Sequence, residues 1–430
     1  MRRNLATVYR RRAIRARLAT CVVATILMPC TTAKADTINV FPGPGAPIAA
    51  ALARAQFADT IVLHRGVYRE PTIMVRQSVT IRGAPGAVVD GEGQRALFIV
   101  YAPAVTIQQL TLRHTGFSGI DDRAAIRFVD TRDCRVLANR IEQAFFGIYL
   151  ARVTRCEVRD NVISGVAAGE MEAGNGIHIW YGRDVHLTRN TIEHHRDGIY
   201  FEFTHGGVVR DNVSQKNGRY GLHFMFSDSC RYVHNQFLAN AAGIAVMYTN
   251  HIEMRNNVFA DARGSAAYGL LLKSISDSRI EGNTFRGNSV ALHLEDANRN
   301  QMIGNRFQHN GWAIRLMTNA ENNTIARNDF IANAFDVVAS GERNSTMLSG
   351  NHWDAYRGYD LNHDGIGDVP HHPVRLFALI VESNPPTLVL LRSFLLELLD
   401  AAERVLPVLV PATVIDTAPA MNASAQRSPS

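Results

Sequence analysis

The softest set of potential metal donors in this 430-residue chain is His223, Met225 and Met247. His223 and Met225 sit two residues apart in GLHFMF, at Gly221 to Phe226. On a β-strand both side chains would leave from one face. Met247 holds the same place in the next copy of a recurring phrase, which would set the two thioethers on neighbouring strands. Imidazole with thioether suits copper(I), and methionine persists as a reversible ligand in an oxidising compartment better than a thiolate does. The bland alternative is an exposed apolar stripe used for protein contact. His194, His195, His205 and His234 fall on turns near the same sheet, and Met254 and Met302 fall at core positions.

The sharpest local motif runs from Asp360 to Asp368. Asp360, Asn362 and Asp364 stand at positions one, three and five of a calcium-loop pattern, Gly365 at six, the Ile366 carbonyl at seven and Asp368 at nine. The pattern departs at position twelve, where His371 replaces the usual bidentate glutamate. Calcium here would pin the chain as it leaves the last coil; the alternative is an Asp/Asn/Gly turn without metal. Polysaccharide cleavage needs clustered carboxylates. The outward acids Glu202 and Glu295 would lie four coils apart, about 19 Å at strand spacing. Asp121, Asp122, Asp130 and Asp133 offer no evident partner. No catalytic residue is expected, and a secreted glycan-binding or glycan-cleaving protein stands as the alternative.

The elements that must position these groups come from one fifteen-residue phrase, as in GIYLARVTRCEVRDN (Gly147 to Asn161) and GLHFMFSDSCRYVHN (Gly221 to Asn235). Its closing asparagines, from Asn139 to Asn351, recur mostly every 22 or 23 residues. Apolar residues alternate within each phrase, as at Ile148 and Leu150 or Leu222 and Phe224, which is the strand period with one buried face. Three short strands per period make a right-handed parallel β-helix of roughly ten to twelve coils. The third and fifth positions of the phrase have outward parity, and the asparagines suit left-handed turns and axial ladders. Cys134, Cys156 and Cys230 share one small inward slot. Cys134 and Cys156 lie on successive coils, within reach of a disulfide, with a stack of free thiols as the alternative.

The first 35 residues carry eight Lys and Arg, no acid and an apolar run from Leu18 to Met28, which is an export signal, by the general or the twin-arginine route. Without those eight, 37 bases face 39 acids, so the formal charge falls from +6 to −2 and nucleic acid is not an expected partner. The expected divisions are the signal (1–35), an N-terminal cap with a short helix at 46–57 (36–60), the β-helix (61–353), the calcium-loop-like and connecting segment (354–386), a leucine-rich amphipathic helix (387–407) and a disordered tail (411–430). That closing helix has more leucine than one cap needs and too many charges to span a membrane comfortably. A membrane partner or surface is its expected second contact.

Three stretches together resemble the NosD family of periplasmic β-helix proteins: NGRYGLHFMFSDSC (Asn217 to Cys230), GNHWDAYRGYDLNHDGIGDVPHHP (Gly350 to Pro373) and RLFALIVESNPP (Arg375 to Pro386). The likeness runs in order along the whole mature chain. It implies a non-catalytic protein standing on an ABC transporter permease with its ATPase at the inner membrane. Such a protein would receive copper from a lipoprotein chaperone and help to mature the copper centres of nitrous oxide reductase.

Overall fold

The computed structural model describes residues 35–166, 173–317, 319–339, 345–390, 393, 399 and 414–423; nearly all of the expected export signal and most of the 387–407 segment lie outside them. In each coil the strand alternation buries one set of side chains, Ile148 and Leu150 being fully enclosed in Phe146–Thr154. The next coil sets Ile177 and Ile179 in register with them, and the one after sets Ile199 and Phe201. Repetition closes a right-handed solenoid of three parallel sheets with 14, 12 and 13 strands, each sheet taking every third strand of the chain once the first strand has paired with the second. That makes about thirteen coils, more than the repeat suggests, because the coils before Asn139 lack the asparagine by which coils are counted. On one wall of the core Phe237, Phe259, Phe285, Phe307, Phe330 and Trp353 stack with ring centroids 4.1 to 5.5 Å apart.

The asparagines form a continuous buried ladder. Asn235 Oδ1 accepts the backbone N–H and the Nδ2 of Asn212, both at 3.0 Å, while its own Nδ2 donates to Val209 O at 2.8 Å and to Asn257 Oδ1 at 3.0 Å. The left-handed residue is not the asparagine but the one before it: Asp160 at φ 59°, Arg189 at 53°, Asp211 at 56° and His234 at 57°. Its turn directs the following amide inward, and any side chain at the left-handed site points out to solvent. Cys134 and Cys156 form a disulfide across adjacent coils, Cα atoms 4.6 Å apart, and Cys230 is a buried free thiol.

Both ends are closed, not quite as the sequence suggests. A strand, Thr37–Val40, precedes the helix Pro47–Arg54 and pairs with Thr60–Leu63, so the cap is itself a rung of the solenoid. The helix buries Ile48, Ala51 and Leu52, and its first amides are capped from afar by Glu70, which accepts from Ile48 N–H at 2.7 Å and Ala49 N–H at 3.1 Å. At the other end a helix forms at Leu376–Ser383, inside the expected connecting segment. It lays Phe377, Ala378 and Val381 on the outer face of the twelve-stranded sheet against Trp312, Phe335 and Val338. A 3-10 turn follows at Pro385–Leu390. The expected disordered tail is corrected for residues 414–423: Val414, Asp416 and Ala420 are buried, and the segment bridges to Leu348, His352, Ile366 and His371. Among the described residues no helix is long and apolar enough to cross a membrane.

Candidate metal centre

The outer face of the twelve-stranded sheet carries the predicted donors. Met225 and Met247 are register partners on adjacent strands, in a column that reads Trp180, Glu202, Met225, Met247, Lys273, Glu295. Both methionines are partly exposed. His223 lies two residues before Met225 on the same strand, Tyr220–Met225.

The third-position column departs from the expectation of a solvent face: His223 is only 7% exposed, and Tyr149, Ala245, Leu271 and His293 are buried as well. Large planar groups in register cover one another. The Arg127 guanidinium lies 5.0 Å from the Tyr149 ring centre, and Tyr149, His178, Tyr200 and His223 follow at 4.4, 4.6 and 4.8 Å. Burial pushes the His178 imidazole down to about 3 and the Tyr200 phenol up to about 12, so both are neutral at ordinary pH. The Tyr200 hydroxyl is 3.9 Å from Met225 Sδ.

His223 is anchored on its inner side by residues outside the repeated strand. Asp197, fully buried just before the preceding strand, places Oδ2 3.3 Å from His223 Nδ1. Arg219 donates through Nε to Asp197 Oδ1 at 2.9 Å and through its terminal nitrogen to Oδ2, and Tyr220 N–H donates to Oδ1 at 3.2 Å. Burial alone would raise the Asp197 pKa, but hydrogen bonds from His223 and Arg219 outweigh it and hold the carboxyl down at about 2. Arg219 also comes within 3.1 Å of His223 Nδ1.

Beside the methionines runs a feature unforeseen in the repeat. Tyr181, Phe203, Phe226 and Tyr248, each directly after a fifth-position residue and each left-handed, stack in an exposed ladder with centroids 4.7, 5.3 and 5.1 Å apart. An aromatic at that place in four consecutive phrases (WY, EF, MF, MY) is the signal that could have revealed it.

The Asp360 loop is organised around its own backbone. Asp360 accepts from Asp364 N–H at 3.2 Å and Gly365 N–H at 2.9 Å, Asn362 Oδ1 accepts from Asp364 N–H at 3.2 Å, Asp364 accepts from Ile366 N–H at 2.8 Å, and Asp368 accepts from Leu361 N–H at 2.7 Å. His371, at position twelve, packs against Trp353 and Tyr356, 5.1 and 5.7 Å between ring centres. Ile366 bridges to Ala420, so the loop is tied to the 414–423 segment. Among the described residues no group of three or more His, Cys, Asp or Glu side chains is placed to hold a metal ion. Of the outward acids, Glu295 is paired with Lys273 at 2.8 Å.

Residues 165–358, which include His223, Met225 and Met247, match the family described as periplasmic copper-binding protein (NosD). A probable ABC transporter binding protein NosD of Pseudomonas aeruginosa is 28% identical, covering 93% of this chain and 94% of its own length. Another of the same name, from Stutzerimonas stutzeri, is 27% identical over 81% of this chain and 83% of its own. The A-module of the Azotobacter vinelandii mannuronan C-5 epimerase AlgE6 superposes with a TM-score of 0.60 at 15% identity, covering 70% of this chain and 94% of that module, which shows a shared β-helix fold. The chain thus carries a NosD domain across its central coils and is similar to NosD relatives along most of its length.

Proposed function

We propose that this protein is a non-catalytic periplasmic copper carrier that works on an ABC transporter during the maturation of nitrous oxide reductase. The copper-binding description of the matching family and the transporter-binding name of its relatives support the two halves of that role. The observation that carries it is the pairing of Met225 with Met247 on adjacent strands beside His223. Copper(I) is the cargo: two thioethers and one imidazole form a soft, uncharged set that binds it and can release it to a better thiolate or imidazole site. The partners are the transporter's permease and ATPase, a copper-chaperone lipoprotein that loads the protein, and the reductase that receives the metal. Calcium at the Asp360 loop is a separate proposal: the oxygens of Asp360, Asn362, Asp364 and Asp368 are ordered by the loop's own amides and keep lone pairs for a cation.

Anaerobic copper(I) titration against a competing chelator tests the site. The mature protein should take up one tightly held equivalent that is lost in Met225→Ala/Met247→Ala and weakened in His223→Gln. Unchanged stoichiometry and affinity in the double variant would sink the proposal.

A further inference from the structure

We infer that Asp197, braced by Arg219, is a positioning residue that fixes the His223 imidazole with its proton on Nδ1, leaving the Nε2 lone pair for a metal. The inference rests on the copper reading above, and it concerns a residue that lies neither in the repeated phrase nor on the metal face.

A neutral imidazole offers a metal only the nitrogen that lacks a proton, and the hydrogen bond made by the other nitrogen decides which one that is. Asp197 is fully buried and is held from two sides by Arg219 and the Tyr220 amide, so its carboxylate cannot swing away. At 3.3 Å its Oδ2 meets His223 Nδ1, and an ionised carboxylate can only accept there. The competing contact is Arg219, 3.1 Å from the same nitrogen, which would require the opposite tautomer, with Nδ1 accepting and Nε2 protonated. The terminal nitrogen already gives one of its two N–H groups to Oδ2, so the choice turns on which contact the buried carboxylate gains from. A proton on Nδ1 gives that buried charge a further donor. A carboxylate behind the ring also fixes the plane of the ring. The rings of Tyr200 and Tyr220 pack against it, 4.8 and 4.9 Å between ring centres.

The direct test needs no metal and no Asp197 variant. In the metal-free, 15N-histidine-labelled full chain, two-bond 1H–15N correlation spectra report the protonated ring nitrogen, with His223→Gln identifying the resonance. Nδ1–H is expected for the neutral ring, and Nε2–H, or a rapid average of the two, would overturn the inference. Asp197→Asn should then change that signature and weaken copper(I) binding about 10- to 100-fold, with loss of an imidazole nitrogen from the X-ray absorption first shell. Unaltered tautomer and affinity in a folded Asp197→Asn would also overturn it. The copper reading fails separately, through His223→Gln and the methionine variants, whatever the tautomer proves to be.

Discussion

Asp416 Oδ2 accepts the Asn351 backbone N–H at 3.0 Å and the Asn351 Nδ2 at 2.9 Å, so an aspartate 65 residues further on completes the asparagine ladder. The same oxygen accepts Trp353 Nε1–H at 3.1 Å. Asp416→Ala would leave these donors without an acceptor, at about 1–3 kcal/mol for each that stays buried. In a solenoid the loss should remain local. Amides of residues 348–353 should exchange at least tenfold faster while those around Asn235 keep their protection; uniform acceleration along the chain would contradict this.

Within the ladder the cost is larger and shared. Asn235→Ala removes four hydrogen bonds from a fully buried site. A loss of about 2–4 kcal/mol is expected, read as a lower urea midpoint. A change below about 0.5 kcal/mol, the usual range of surface substitutions, would mean that the ladder is ornamental.

The Cys134–Cys156 bridge closes a 22-residue loop, worth about 3 kcal/mol in the chain-entropy account. Cys134→Ala/Cys156→Ala should fall by that order in denaturant unfolding. Cys230 should behave oppositely to a reactive thiol. Burial pushes its pKa up to about 12, so native protein should resist iodoacetamide and react only once unfolded.

Acid should weaken the fold through buried neutral histidines. Burial lowers His178 to about 3 and His195, His293 and His371 to about 4, against 6.5 in the unfolded chain. The unfolded state therefore binds more protons below 6.5, and the stability present above that pH is lost as pH falls towards 4. The urea midpoint should drop between pH 7.5 and 4.5, and His195→Phe should flatten the slope. Asp197, held down at about 2 against 3.8, adds its own loss only below about pH 4. A midpoint constant from pH 7.5 to 4.5 would show that these rings are not buried neutral.

The coil, the inward face and the alignment of Met225 with Met247 were legible because each follows from the period of the phrase. What the phrase hides is whatever it does not repeat. Parity places His223 and Tyr149 outside, but parity cannot register that large planar side chains packed in register shelter one another. Asp197 and Arg219 sit on turns, where alternation carries no information. Asp416 lies in a stretch rich in Ala, Thr, Pro and Ser that reads as disordered by composition, and its partners are fixed by contacts 65 residues distant.

Because donors on this sheet come only from fixed places in stacked rungs, their separations are quantised. Two residues in one column have backbones about 4.8 Å apart along the axis or a whole multiple of it. Fine adjustment of Met225 and Met247 must then come from side-chain torsions, and methionine, with three rotatable bonds, supplies more of that freedom than any other sulfur ligand. A rigid ruler carrying flexible donors can close on an ion and open again without moving a strand.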